Sequence, residues 1–235
     1  MFGKNAEKLV RESYELLFIQ GSLGRDKIKK AIECAKKALD KEPERYDAQW
    51  LLASGMFVSA YVDEERLDYA LVEFDKAIEK NPNGIQAWFF RYYFLEAKRT
   101  NEMKKKIQFS YSTELLKSCE KIIEIFDDTL TGPGLDPSDR ISEEFDIVDV
   151  WYTRVGILGE LNKLDEENEC FEKMIQLQTS AENLGMIFGY WSSRLNHLKK
   201  YHEAKEICEQ GLLAVPYHEL IMKELQIAER ELGKS

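Results

Sequence analysis

The chain has 235 residues, 44% hydrophobic and 11% aromatic, which supplies enough apolar side chain for a continuous core and excludes a disordered chain. Its 33 basic and 43 acidic residues leave a net charge of −10, which opposes nucleic-acid and anionic-membrane binding over most of the surface. Cys34, Cys119, Cys170 and Cys208 are far apart and match no metal-ligand spacing, so a reduced, cytoplasmic setting is predicted.

Asn5 to Ile19 reads as a first helix whose apolar side carries Leu9, Tyr14, Leu16, Leu17 and Phe18. Charge alternates with apolar residues there, so neither a signal-peptide core nor a membrane span of about 18 apolar residues is expected. Gly21 to Gly24 breaks the helix. The second helix carries Ala31, Ala35 and Ala38 and is followed by Pro43. A third runs from Asp47 to about Tyr61 with Trp50 near its start.

Residues 70 to 95, ALVEFDKAIEKNPNGIQAWFFRYYFL, hold two amphipathic helices meeting at an Asn-Pro-Asn-Gly turn. Ala70, Phe74 and Ala77 share one face, Pro82 cannot continue the helical ladder, and Trp88 lies one turn into the next helix. Ala31 and Pro43 are separated by the same interval as Ala70 and Pro82 (43 − 31 and 82 − 70, both 12), which makes this a repeat. Pro43 to Trp50 is seven residues and Pro82 to Trp88 is six, so the inward face of the third helix has two candidate registers.

Residues 85 to 99 form an aromatic-rich helix, followed by a charged segment from Lys98 to Lys106. The next helix ends near Phe126 and starts either at Ser112 or Thr113, as a cap, or earlier near Ile107. Residues 129 to 140, TLTGPGLDPSDR, read as a long loop. Trp151 to Phe171 restores the repeat spacing, with Val155-Gly156 as a bulky–small pair where paired helices approach. Phe188-Gly189 repeats that pair within the helix from Asn183 to about His197. Ala204, Cys208, Gly211 and Pro216 recover the spacing once more, and Glu219 to Leu232 reads as a terminal capping helix.

The A-x3-F-x2-A-x4-P-x5-W pattern of Ala70, Phe74, Ala77, Pro82 and Trp88 resembles the tetratricopeptide (TPR) repeat, a helix–turn–helix unit of about 34 residues. The resemblance covers nearly the whole chain. It implies an all-α, right-handed α-solenoid of about five TPR-like helix pairs plus a C-terminal capping helix. Residues 1–235 would form one repeat domain, in which a loop at about 129–142 separates residues 1–128 from 143–235.

In proteins of this kind the first helix of each pair lines a concave groove that holds a peptide or a helix. The resemblance therefore makes Trp50 (or Leu51 in the other register), Phe89, Phe90, Tyr93, Tyr152 and Tyr190 the peptide-binding candidates, while Trp88 and Trp151 are expected in the core. The carboxylate clamp by which some TPR proteins hold a chaperone tail needs Lys, Arg and Asn on these helices. Here the matching positions carry Asp47 or Ala48, Phe89, Phe90, Tyr93, Tyr152, Thr153 and Tyr190, so that function is not expected.

Catalytic signals are weak. His202-Glu203 begins like a zincin motif, but Glu206 stands where the second histidine belongs, and His197 and His202 fall on different helix faces. Gly132-Pro133-Gly134 has neither the flanking strand nor the Lys-Ser pair of a phosphate loop. The cluster Lys98, Arg99, Lys104, Lys105 and Lys106 reads mainly as charge complementing a helix C-terminus. The prediction is a cytoplasmic, non-catalytic scaffold without metal or cofactor. It binds another protein, with basic flanks favoured by the acidic rim, and neither nucleic acid nor membrane. The alternative is a self-assembly module, forming a homodimer.

Overall fold

A computed structural model describes residues 3–19, 24–60, 67–105, 111–126, 147–177 and 180–234. Among the described residues it is all-α, with no strand. The chain divides into two compact units, residues 1–127 and 128–235. The first holds α1 (Gly3–Tyr14, continued by a π-helical turn Glu15–Ile19), α2 (Arg25–Lys41), α3 (Tyr46–Ala60), α4 (Leu67–Lys80), α5 (Ile85–Lys104) and α6 (Ser112–Phe126). The second holds α7 (Ile147–Glu160), α8 (Leu164–Leu177), α9 (Ala181–His197), α10 (Tyr201–Ala214) and α11 (Glu219–Leu232).

Among the described residues the helices are therefore five pairs and a single last helix. Within each unit, sequence neighbours pack antiparallel, because short connections let them fold back along one another. Ala38 and Ala48 share a cluster near the α2–α3 turn, while Ile32 meets Gly55 farther along the same two helices. In the first unit the alternate helices α3 and α5 run parallel: Tyr46 of α3 meets Ala87 of α5, Trp50 meets Phe90, and Phe57 meets Phe94.

The repeated small-residue positions are the hairpin interiors. Ala31, Ala35, Ala38, Ala70, Phe74 and Ala77 are all fully buried. Trp88 is buried beside the turn, and its indole N–H donates to the Pro82 carbonyl at 2.9 Å, fastening the turn to the helix it introduces. Trp151, Phe171 and Met174 are buried in the second unit. There the interhelix turns use left-handed residues, Asn162 (φ 56°) and Lys199 (φ 60°). Around each, two hydrogen bonds reach back into the preceding helix (Lys163 N–H to Leu158 and Asn162 N–H to Gly159; Lys200 N–H to Leu195 and Lys199 N–H to Asn196), the Schellman arrangement that occupies orphan carbonyls.

Several expectations need correction. The aromatic-rich helix does not stop at residue 99 but continues to Lys104, since the charged segment supports helix through Lys98–Glu102 and Arg99–Glu96 pairs at 2.8 and 3.1 Å. The first helix is not regular to Ile19: its last five residues form a π turn, which buries both Leu16 and Leu17 and leaves Phe18 facing Trp50. Helix α3 begins one residue early, at Tyr46. The two-register question for α3 resolves into burial on most sides, with every residue from Ala48 to Gly55 buried, and Trp50 faces Phe90 of α5. Gly189 makes room for Leu220 of α11, so this small residue serves the next helix rather than the paired one; Gly211 of α10 is the position that admits Phe188. Helix α6 starts at Ser112, with the Tyr111 carbonyl accepting from the Leu115 N–H. The alternative start near Ile107, the end of α3 at Tyr61 and the loop at 129–140 lie outside the described residues.

Phe74 has no solvent exposure, so Phe74→Ala should leave a cavity and cost about 3–5 kcal/mol. Urea unfolding followed by circular dichroism should show a lower midpoint with an unchanged slope.

Candidate functional site

The first unit carries a continuous ladder of rings donated by its parallel helices. Phe18 stacks on Phe90 with centroids 4.8 Å apart, and Phe90 stacks on Trp50 at 5.1 Å and 12°. Tyr14 meets the Trp50 ring edge-on at 6.3 Å. Along α5, Phe90 passes contact to Phe94 at 6.0 Å, and Phe94 stacks on Phe57 at 4.0 Å. Helical spacing explains the continuity: residues 90 and 94 share a face of α5, and 50 and 57 share one on α3.

The candidate residues occupy different levels of this ladder. Trp50 and Phe90 are buried rungs, at 6% and 7% exposure. Phe89 is half-buried, meets Phe90 edge-on at 5.4 Å, and lies nearly parallel to Tyr93 at 6.2 Å. Tyr93 is 56% exposed and rests edge-on against Phe94. Phe89 and Tyr93 thus form the solvent-facing edge of a stack whose other members are fixed by packing.

Tyr152 of α7 and Tyr190 of α9 belong to the second unit. Their rings meet edge-on at 5.7 Å, with Tyr152 half-buried and Tyr190 46% exposed. The structure brings this pair together, and it brings together Trp50, Phe89, Phe90 and Tyr93 within the first unit.

Tyr14, Phe18, Phe57 and Phe94 are not among the candidates that the sequence pattern supplies, yet they complete the ladder. The available signal is the offset between rings that face each other on parallel helices, which is 40 residues for Trp50 and Phe90 (90 − 50).

Buried polar groups brace the elements that carry these rings. Arg91, 4% exposed, donates to the Glu114 carbonyl and to Ser118 Oγ, each at 2.7 Å, tying α5 to α6. Burial lowers its pKa, while Asp75 and Glu114 oppose that shift. In the second unit Arg194 of α9 contacts both Glu167 oxygens, at 3.0 and 3.2 Å, and donates to the Gly159 carbonyl at 3.0 Å. Three helices meet on that one guanidinium. Burial pushes the Glu167 carboxyl up, and Arg194 pulls it back.

The remaining reactive groups serve packing. All four cysteines are buried, and burial pushes the Cys170 thiol up to about 11, away from the thiolate that nucleophilic chemistry needs. Among the described residues no group of three or more His, Cys, Asp and Glu side chains is placed to hold a metal ion. Nor is any described helix long and apolar enough to cross a membrane. Lys98 and Arg99 of the basic cluster are occupied by Glu102 and Glu96.

Antiparallel pairs, parallel alternate helices and buried Ala-Phe-Ala positions are the repeat geometry expected from the sequence pattern. The architecture is TPR-like. No protein-family model and no curated protein matches the sequence. Among solved structures, the chain is similar to that of TTC0263, described as a thermophilic TPR protein in Thermus thermophilus. Identity is 12%, over 96% of this chain and 99% of that one, with a TM-score of 0.41. It is also similar to PilF of Pseudomonas aeruginosa, at 14% identity over 99% of this chain and 87% of that one, with a TM-score of 0.49.

Arg194→Met would leave Glu167 buried without its cation and should cost about 3 kcal/mol at neutral pH. Because the Glu167 pKa is already raised, removing the group that lowers it favours the protonated carboxyl further. The variant's deficit should therefore shrink as pH falls from neutral towards about 4, measured as melting temperature relative to wild type across that range.

Proposed function

We propose that this chain is a non-catalytic protein–protein interaction scaffold that grips an apolar segment of a partner, a peptide or a helix, on its aromatic surface. The observation that carries this reading is the Phe89–Tyr93 edge, a half-buried and an exposed ring held against a buried stack. Rings already fixed by packing lose little conformational freedom on binding, and aromatic anchors of this kind dominate interface energetics. The Tyr152–Tyr190 pair offers a similar edge in the second unit. With a net charge of −10, basic residues flanking the apolar anchors would speed encounter and fix orientation.

The mechanism is burial without chemistry. Partner side chains displace water from the ring faces, while Trp50 and Phe90 beneath keep those faces in place. An affinity pull-down from native lysate tests it. Phe89→Ala/Tyr93→Ala should lose a partner that the wild type retains, with a weakening of about 2 kcal/mol or more and an unchanged circular dichroism spectrum. Retention of the same partner by the folded double variant would contradict the reading.

A second reading, self-assembly, draws on Leu213 and Tyr217, which are 86% and 85% exposed around the turn between α10 and α11. Light scattering should then give a mass that rises with concentration for wild type and stays monomeric for Leu213→Ser/Tyr217→Ser. A concentration-independent monomer mass for wild type would dismiss self-assembly.

A further inference from the structure

Within the second unit, α8 and α10 stand as two ridges with α9 as the floor between them. The open cleft between them has a volume of about 510 Å³. Phe188, Trp191 and Leu195, one stripe of α9, make the floor, and Ile175 and Ile207 make apolar walls. The Trp191 indole donates to Asn168 Oδ1 at 2.8 Å and stacks on Phe171 at 5.5 Å, so its orientation is fixed before anything binds.

The rim has one sign of charge. Glu172 of α8 and Glu203 and Glu206 of α10 line it, beside the amides of Asn168, Gln176 and Gln210, and no Lys, Arg or His is among the lining residues. Glu203 is paired with Lys200 at 2.9 Å, whereas Glu172 and Glu206 have no ion-pair partner among the described residues. Both are exposed, so neither is needed to hold the fold.

We propose that this cleft is a docking site for an arginine-bearing amphipathic helix of another protein, separate from the aromatic edge of the first unit. A cleft between two helical ridges takes a third helix by the helix-in-groove mode, with apolar side chains over the floor. Arginine suits the rest of the lining. Its methylene stem covers the apolar walls while the guanidinium reaches carboxylates on both ridges through charge-assisted, bidentate bonds.

The test is fluorescence anisotropy on the full chain, using a fluorescein-labelled amphipathic peptide with leucines on one helix face and arginines beside them. Glu172→Gln/Glu206→Gln should weaken binding about fivefold to tenfold, the effect of two exposed charge pairs. Glu44→Gln/Glu79→Gln, which removes the same charge at exposed positions of the first unit, should leave it unchanged. Gln210→Arg, which sets a cation in the cleft, should also weaken it, whereas Phe89→Ala/Tyr93→Ala should have no effect. No measurable binding to wild type would overturn the proposal, as would equal losses in the two Glu→Gln pairs. A loss confined to the Phe89/Tyr93 variant would overturn it too, by placing the peptide on the aromatic edge. Circular dichroism and melting of each variant confirm that the fold is kept.

Discussion

The packing of alternate helices side by side, one ring against the next, is the constraint on which the first unit depends. A helix hairpin closed by alanines on one face must still cover its other face, and the following hairpin does that. Phe90 does this for Trp50 and Phe18, and Phe94 does it for Phe57. Each of these aromatic contacts lies between helices that are not neighbours in sequence, so the stack sets the spacing of successive pairs. The same contacts determine which rings are left over. Once residues 90 and 94 turn inward, Phe89 and Tyr93 fall on the outer side of α5 because adjacent helix positions are about 100° apart. Interior order thus creates an ordered aromatic surface.

As Arg91 does between α5 and α6, polar side chains also brace the second unit. Half-buried Arg194 joins α9 to buried Glu167 of α8 and to the Gly159 carbonyl of α7, and buried Asn196 Nδ2 donates to both the carbonyl and Oε2 of Glu224 on α11. Such groups are costly to leave unpaired, so they define one arrangement more sharply than apolar contact does. Glycines at 185 and 189 let α11 close on α9, where a Cβ would meet His218 and Leu220.

Much of the fold was legible in the sequence, for a physical reason. Hairpin interiors accept only small side chains at fixed intervals, so Ala70, Phe74, Ala77 and Pro82 announce a paired helix, a buried ring and a turn. The placement of Trp50 was not legible. Helix α3 is buried on most of its surface from Ala48 to Gly55, and a helix without a polar face carries no periodicity to mark its register. The length of α5 was obscured because its last turns are charged, although the Lys98–Glu102 spacing was itself a helical signal. The Glu167–Arg194 pair and the cleft above Trp191 could not be read locally, since each is assembled from residues of separate helices. For the candidate site, residue type identified the aromatics, and only packing distinguishes buried rungs from an accessible edge.

The outer edge of the aromatic ladder is the surface we propose for partner binding. Site-specific photocrosslinking in native lysate tests it most directly, with p-benzoylphenylalanine placed at Tyr93 or, as a comparison, at Tyr69, which is 66% exposed on α4. Binding at this edge should give a discrete crosslinked band from position 93, absent from position 69 and lost when Phe89 is changed to Ala. A band from position 69 with none from position 93 would contradict it and move the binding surface to the second helices of the pairs.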